Sequence, residues 1–311
     1  MMQAVFLFPG QGSQQLGMCR EFWGTESARV LAAQAQSIVG QDLLQVIEKG
    51  PIKALTATQV LQPAITLMNA ICLAEVTAVG AVPVAVAGHS LGELSACYAA
   101  GMFPFQALMK LAAGRGALMA AAACRNEGAM VAVTSDQPST VGSLIAEMQR
   151  EGAAIYIANI NSPSQIVASG ATAAIADFQT RAGKAGLGRV IRLQVSGAWH
   201  SAFMKDCEAS FAELIGEQPI IDPAIPVFSN VGAQPATTRA EVTAALIDQL
   251  SAPVLWLQTL KHLRETYPDA VFAEIGPGKV LTGLMLQTDP RAKIFQINSR
   301  RGLERFAEAI G

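Results

Sequence analysis

The sequence predicts an α/β fold in which a large domain with a mostly parallel sheet is interrupted by a small ferredoxin-like domain. The first part alternates short apolar runs with longer Ala/Leu-rich stretches, which is typical of a parallel sheet covered by helices. Between about 129 and 194 the order changes to βαββαβ, the ferredoxin-like arrangement, and the α/β alternation resumes after residue 200. We therefore assign 1–126 and 199–311 to the large domain and 127–198 to the small one.

The single elements follow from the same patterns. Before the small domain we predict strands over 4–8 and 84–87, and helices over 28–39, 61–79, about 91–100 and 105–123. Within the small domain we predict strands over 130–135, 154–159, 165–170 and 189–195, and helices over 138–150 and 172–186. After residue 200 we predict strands near 226–228, 270–274 and 293–297.

Composition excludes several classes of function. The 311 residues carry a net charge of −2 and no run of Lys and Arg, so nothing indicates nucleic-acid binding. Apolar runs such as AVPVAVAG at 81–88 are far shorter than the ~18 residues of a membrane helix. The N-terminus lacks the basic segment and cleavage site of a signal peptide. Five scattered cysteines without a C-x-x-C pair predict reduced thiols in the cytoplasm, and neither disulfides nor a metal site.

A candidate nucleophile lies in VAVAGHSLGELSA at 84–96, which contains the G-x-S-x-G pattern over Gly88-His89-Ser90-Leu91-Gly92. A strand that turns abruptly into a helix needs small residues on both sides of the nucleophile, and it exposes the Ser90 hydroxyl at a helix N-terminus. The pattern alone is common, but its place between an apolar strand and a helical stretch favours a nucleophile. The alternative is a Gly-rich turn with Ser90 as the helix N-cap.

A serine nucleophile needs a base, and the chain has three histidines. His200 lies where a β-type run ends and a helical run begins, so it is the favoured base, with a buried structural histidine as the alternative. His89 adjoins Ser90 and is expected to point elsewhere, with a mainly structural role. His262 lies in the charged stretch TLKHLRETY and is expected on the solvated surface.

An arginine stands out in the apolar stretch KLAAGRGALMAAAAC. A buried Arg115 without a partner would cost several kcal/mol, so it is expected to meet an anion, and its planar fork suits a carboxylate. The alternative is that the side chain extends to solvent.

Several segments together resemble one family. These are FPGQGSQ (8–14), GHSLGE (88–93), NINSPSQIVASG (159–170), SGAWHS (196–201) and EIGPGKVLTGL (274–284). In this order and spacing they resemble the malonyl-CoA:acyl carrier protein transacylase family over nearly the whole chain. The resemblance implies an α/β-hydrolase-like large domain with a ferredoxin-like insert.

The resemblance also implies roles for single residues. Ser90 corresponds to the acylated nucleophile and His200 to its base, while Gln249 resembles the glutamine whose carbonyl group orients the histidine. The backbone N–H groups of Gln11 and Leu91 correspond to the oxyanion hole. Arg115 resembles the arginine that pairs with the malonyl carboxylate, and His89 is counted with it among the substrate-binding candidates.

The chain departs from the family at the base. Stand-alone transacylases typically have Pro-Ser-His where this chain has Ala198-Trp199-His200. An aromatic residue before the histidine is similar to acyltransferases of polyketide assembly lines, including free-standing ones that act in trans. Trp199 is therefore a candidate for contact with the acyl group, and a place in the protein core is the alternative.

The resemblance implies transfer of a malonyl group from malonyl-CoA, through Ser90, to the phosphopantetheine thiol of an acyl carrier protein. Malonyl-CoA and the phosphopantetheine arm are substrates, no bound cofactor is expected, and the protein is expected to be a cytoplasmic monomer that binds neither nucleic acid nor membrane. Three alternatives stay open: an α/β-hydrolase-type esterase or thioesterase that uses Ser90 with His262, a non-catalytic module that binds carrier proteins, and the transferase subunit of a malonate decarboxylase. Fatty-acid and polyketide synthesis are both compatible with the sequence.

Overall fold

The computed structural model describes residues 2–311, which form two β-sheets with their own helices. The first part of the large domain contains β1 (Ala4–Phe8), α1 (Glu26–Val39), α2 (Leu43–Lys49), α3 (Ile52–Leu55), α4 (Thr58–Ala78), β2 (Pro83–Gly88), α5 (Gly92–Ala99) and α6 (Phe105–Arg125). All six elements predicted for this part are present, and helices α2 and α3 were not predicted.

The small domain follows α6. Its elements are β3 (Gly128–Thr134), α7 (Pro138–Arg150), β4 (Ile155–Ser162), β5 (Gln165–Ala171), α8 (Thr172–Lys184) and β6 (Arg189–Arg192). The four strands are antiparallel in the order β4-β5-β3-β6, so the predicted ferredoxin-like βαββαβ arrangement is confirmed. The domain has a hydrophobic core of its own, and all four strands lie within the predicted range 127–198.

The chain then returns to the large domain. Its last elements are α9 (Cys207–Gly216), β7 (Val227–Phe228), β8 (Pro235–Ala236), α10 (Arg239–Asp248), α11 (Trp256–Thr266), β9 (Val271–Ile275), α12 (Val280–Thr288), β10 (Ile294–Ile297) and α13 (Arg300–Ile310). The large sheet has the order β10-β9-β1-β2-β7-β8. Every neighbouring pair is parallel except β7 and β8, so the predicted mostly parallel sheet is confirmed.

The centre of the large sheet positions the site. All residues of β1 and β9 are buried, because helices cover both faces of a parallel sheet, and this explains why both strands are apolar apart from Glu274 in β9. Strands β1 and β2 are parallel neighbours, with Phe8 opposite Gly88. Their carboxyl ends therefore meet, and the loops that follow them lie side by side, where ligands bind in α/β folds.

Helices α4 and α6 are both long and apolar enough to span a membrane by length and composition alone. They pack against each other, and 72% and 56% of their apolar windows are buried inside the protein. Burial in the core accounts for their hydropathy.

Candidate active site

The candidate nucleophile Ser90 lies in a sharp turn between β2, which ends at Gly88, and α5, which begins at Gly92. Its φ of 50° is in the left-handed region, which residues other than glycine rarely adopt. A Cβ on Gly88 would overlap the backbone of Gly92, and a Cβ on Gly92 would overlap the Phe8 carbonyl. The Asn230 side chain holds the turn, since its Oδ1 accepts from Ser90 N at 2.6 Å and its Nδ2 donates to the Gly88 carbonyl at 2.7 Å. The strand–turn–helix predicted around Ser90 is present, and neither Gly88 nor Gly92 has room for a side chain.

His200 lies beside the nucleophile. Its Nε2 is 2.7 Å from Ser90 Oγ, and its Nδ1 is 2.8 Å from the backbone carbonyl of Gln249. Because a carbonyl can only accept, Nδ1 carries the proton and Nε2 can accept the proton of the serine hydroxyl. Burial and then the positive charge of Arg115 lower the pKa of His200 to about 3, so the imidazole is neutral at physiological pH.

Arg115 lies on α6 and is buried, so its side chain does not extend to solvent. Its guanidinium donates to Gln62 Oε1 at 3.0 Å, to Gln249 Oε1 at 2.8 Å and to Ser90 Oγ at 3.3 Å. Burial lowers the pKa of Arg115 to about 10, and the charge of Glu93 opposes this shift, so the group stays positive. A guanidinium has five N–H groups, and these three bonds leave two for a ligand.

A buried carboxylate, Glu93, stands behind these residues. Gln249 Nε2 donates to it and also, at 3.0 Å, to the Ser90 carbonyl, while Asn230 N donates to it at 3.3 Å. Burial raises the pKa of Glu93 to about 7, against the hydrogen bonds from Gln249 and Asn230. Glu93 thereby fixes the amide of Gln249 with Nε2 toward the carboxylate and Oε1 toward Arg115.

Two backbone N–H groups are free next to the nucleophile. Gln11 and Leu91 both line the cavity at Ser90, and neither backbone N–H donates a hydrogen bond within residues 2–311. Gly10 brings the two loops together, because a Cβ there would overlap the His89 carbonyl and lie 3.4 Å from Leu91 N. The pair of amides can therefore receive an oxyanion that forms at a carbon bonded to Ser90 Oγ.

Seven of the eight predicted site residues line one cavity of about 80 Å³, and Gln249 lies outside it. The range 127–198, assigned to the small domain, contributes Met130, Asn159, Leu193 and Val195 to the lining. A second cavity of about 240 Å³ adjoins the first, and both are lined by Gln11, His89, Asn159 and Leu193. A bound molecule can therefore extend from Ser90 along the boundary between the two domains.

The remaining predicted residues lie on the cavity wall. Trp199 is buried, lines the cavity and belongs to the main hydrophobic core, so the place in the core is confirmed and contact with the acyl group stays a prediction. His89 Nε2 donates to Asn161 Oδ1 at 2.8 Å, and its ring packs edge-on against Trp256, with the ring centroids 5.3 Å apart. Burial lowers the pKa of His89. Its ring therefore points away from Ser90 Oγ, as the sequence predicted.

His262 corrects one expectation. It is half-buried rather than solvated, because its ring packs edge-on against Phe228 at 5.2 Å and its Nδ1 lies 3.0 Å from the Ala233 carbonyl. The hydroxyl of Ser90 pairs with His200 instead. An esterase that uses His262 as its base is therefore incompatible with this arrangement.

Sequence reasoning missed four polar residues of the site: Gln62, Glu93, Asn161 and Asn230. Glu93 had a signal, since it is the only charged residue of the apolar helix GELSACYA and had to be buried or paired. Asn230 gave no local signal, because the turn that it holds is 140 residues away in sequence.

The cysteine nearest in sequence to Ser90 is a poor competitor. Cys97 is buried on α5, and burial raises the pKa of its thiol well above the usual value, so the nucleophilic thiolate is scarce. Within residues 2–311, no group of three or more His, Cys, Asp or Glu side chains is placed to hold a metal ion.

Comparison with known proteins gives a consistent pattern. The acyl transferase domain family matches the chain over residues 5–294. The chain is 34% identical to the malonyl CoA-acyl carrier protein transacylase of Bacillus subtilis, over 98% of this chain and 96% of that protein. It is 39% identical to the polyketide biosynthesis protein ThaF of Burkholderia thailandensis, over 92% of this chain but only 24% of that longer protein. Among solved structures, the malonyl CoA-acyl carrier protein transacylase of Coxiella burnetii superposes with a TM-score of 0.94 at 32% identity, covering 99% of this chain and 97% of that one.

Proposed function

Because the chain belongs to the acyl transferase domain family, we propose that it transfers a malonyl group from malonyl-CoA to the phosphopantetheine thiol of an acyl carrier protein. One observation carries the proposal: Ser90 Oγ lies 2.7 Å from His200 Nε2 and 3.3 Å from the Arg115 guanidinium. The nucleophilic oxygen is thus in contact both with its base and with a cation that can bind an acidic acyl group.

The first half-reaction forms an ester on Ser90. His200 Nε2 takes the hydroxyl proton as Ser90 Oγ attacks the thioester carbon of malonyl-CoA. The carbonyl oxygen becomes an oxyanion and accepts hydrogen bonds from the free backbone N–H groups of Gln11 and Leu91. The C–S bond then breaks, and the coenzyme A sulfur leaves with the proton held by His200.

The second half-reaction reverses these steps with another thiol. The phosphopantetheine thiol gives its proton to His200 and attacks the malonyl ester, and the same two amides stabilise the oxyanion. The C–O bond breaks and Ser90 regains its proton from His200. Every proton in the scheme is supplied by the chain and the two substrates. We accordingly treat malonyl-CoA and the phosphopantetheine thiol as the two substrates, without a bound cofactor, and place the reaction in the cytoplasm.

Arg115 accounts for the choice of a malonyl group. Its two free N–H groups can bind the distal carboxylate while the carbonyl carbon is at Ser90 Oγ. The site is buried, so the pairing of two charges is screened less than it would be in water. An acetyl group has no carboxylate and forgoes this interaction.

Intact-mass measurement after mixing with malonyl-CoA alone tests the proposal. We expect a single malonyl adduct, which peptide mapping places on Ser90. Ser90→Ala should abolish the adduct, and His262→Ala, which changes a histidine outside the cavity, should retain it. An adduct on Cys97, or none at all, would refute the mechanism. Steady release of coenzyme A without an acceptor thiol would instead indicate a thioesterase.

A further inference from the structure

A buried side-chain amide in the core of the large domain holds the loop that follows β1. Asn69 lies on α4 and is fully buried. Its Nδ2 donates to the Pro9 carbonyl at 3.0 Å and to Ser95 Oγ at 3.1 Å. Because a carbonyl can only accept, the nitrogen of this amide, and not its oxygen, faces Pro9. Asn69 is thereby bonded both to the loop after β1 and to α5, the helix that begins shortly after Ser90.

The bond to Pro9 is the loop's only hydrogen-bonded attachment. Proline has no backbone N–H, so Pro9 can be held only through its carbonyl. The bond at Ser13, whose Oγ donates to the Gly10 carbonyl at 2.7 Å, closes the loop on itself. Of the hydrogen bonds within residues 2–311, the one from Asn69 is the only one that joins residues 9–14 to another part of the chain.

The oxygen of the same amide has no hydrogen-bond partner. Asn69 Oδ1 is buried and unpaired within residues 2–311. The loop after β9 packs closely against it, since a Cβ on Gly276 would overlap Oδ1 and would lie 2.9 Å from Pro9 Cγ. A buried acceptor without a donor is costly, and an apolar side chain at position 69 would avoid that cost. The use of an amide here is explained by the two hydrogen bonds that its nitrogen donates.

We propose that Asn69 is a positioning residue for the oxyanion hole. It joins the loop that carries the Gln11 N–H to the helix that directly follows Leu91, and it thereby fixes the distance between the two N–H groups. Both groups must donate to the same oxygen, and a misplacement of 1 Å can cost about 100-fold in rate. Asn69 lines neither cavity at the site, so it acts through Pro9 and Ser95. The role rests on the proposed acyl transfer and adds to it.

Asn69→Leu tests the inference, because leucine has nearly the same size and donates no hydrogen bond. The malonyl ester is first formed on Ser90, and its transfer to free pantetheine is then followed by intact mass. We expect the first-order rate constant of this transfer to fall about 10- to 100-fold, less than the ~10²–10³-fold loss on removal of an oxyanion donor. Only molecules that carry the ester contribute to this rate constant, so a misfolded fraction does not lower it. An unchanged rate constant would overturn the inference.

Two further variants separate the hydrogen bond from the packing of α4. Thr66→Val is the matched control, because Thr66 is also fully buried on α4 with an unpaired polar atom and lines neither cavity. It should leave the rate constant unchanged, and a fall as large as that in Asn69→Leu would overturn the inference. Asn69→Ser replaces Asn69→Leu if leucine prevents folding. Its hydroxyl ends one bond short of Nδ2 and does not reach Pro9, so it should slow the same step, and an unchanged rate constant would again overturn the inference.

Infrared spectra of the ester report the oxyanion hole without a measurement of rate. Malonyl-CoA labelled with ¹³C at the thioester carbonyl places the label in the ester on Ser90. Hydrogen bonds from the Gln11 and Leu91 N–H groups lower the stretching frequency of that carbonyl, so the frequency should be higher in Asn69→Leu than in the wild type. An ester with the same frequency in both proteins would overturn the inference alone. Absence of any ester in the wild type would overturn the proposed function and this inference with it.

Discussion

Arg115→Ala separates recognition of the acyl carboxylate from the chemistry at Ser90. Arg115 is 2% exposed and keeps two N–H groups free, so its removal leaves a bound malonyl carboxylate buried without its cation. Truncating one partner of a buried, hydrogen-bonded charge pair costs about 2–5 kcal/mol, which is a roughly 30- to 5,000-fold loss in rate. We expect kcat/KM for malonyl-CoA to fall within that range.

The same substitution also has a cost that is common to all acyl substrates. Gln62 Oε1 and Gln249 Oε1 lose their donor, and each unsatisfied buried group costs about 1–3 kcal/mol. Since the backbone of Gln249 orients His200, acetyl transfer is expected to slow as well. The ratio of malonyl to acetyl transfer is therefore the quantity that reports carboxylate recognition.

The assay measures release of the coenzyme A thiol from malonyl-CoA and from acetyl-CoA, with free pantetheine as the acceptor. Gln62→Ala is the matched control, because it removes one hydrogen bond to Arg115 from outside the cavity and keeps the charge. It should change the ratio much less than Arg115→Ala does. Equal losses for the two acyl groups in Arg115→Ala would show that Arg115 is only structural.

Four further predictions concern the pH dependence of acylation, the pH dependence of stability, the acyl branch and the carrier protein. Because the pKa of His200 is about 3 whereas that of Glu93 is about 7, acylation of Ser90 in a Glu93→Gln variant should not slow between about pH 8 and about pH 5, and a fall centred near pH 6.5 in that variant would contradict the assignment. The unfolded chain protonates His200 more readily than the folded protein does, so protonation of this histidine favours unfolding. In urea melts, the contribution of His200 to the free energy of unfolding should be full above pH 6.5 and should be lost as the pH falls toward about 3. This pH dependence should be absent in His200→Gln. Trp199→Ser should shift competition between malonyl-CoA and methylmalonyl-CoA toward the branched substrate by up to about 1–3 kcal/mol, which is the value of one methyl group in a pocket. If the ratio of the two acyl groups transferred does not change, Trp199 does not exclude the branched substrate by its bulk. Three cations of the small domain are exposed and form no ion pair within residues 2–311: Lys184, Arg189 and Arg192. Reversal of their charges should slow transfer to the carrier protein, and most strongly at low salt. Equal slowing with free pantetheine as the acceptor would place the docking surface elsewhere.

The strands of the large sheet are predictable because parallel strands covered on both faces have nearly continuous apolar sequences. The predicted strand over 4–8 matches β1, and the one near 270–274 matches β9 to within one residue. Strand β8 lies at the edge of the sheet, in the polar stretch SNVGAQPATT, and therefore leaves no such run. Helix α1 begins two residues before its predicted start, because the N-cap, Thr25, precedes the apolar pattern and accepts from Ala28 N.

The site is predictable only where its signal is local. Ser90 lies in a strand-to-helix turn that is visible in sequence, whereas His200 lies in an irregular segment between β6, which ends at Arg192, and α9, which begins at Cys207. Their distance of 2.7 Å joins residues 110 positions apart, and no local pattern states that pairing. Gln249 could be assigned from the family resemblance alone, because its contacts to Ser90 and Arg115 span 159 and 134 residues.

The distribution of charge explains why an uncharged group, the Gln249 carbonyl, orients His200. A carboxylate in that place would raise the pKa of His200 and would pair with Arg115, which would weaken the attraction of the guanidinium for an acyl carboxylate. The compensating negative charge is instead on Glu93, which does not line the cavity and receives the Gln249 side-chain amide. Gln249 therefore separates two buried charges by one amide group. Arg115 is stabilised in the protein interior by Glu93 and by neutral acceptors, and its remaining N–H groups stay available to the substrate.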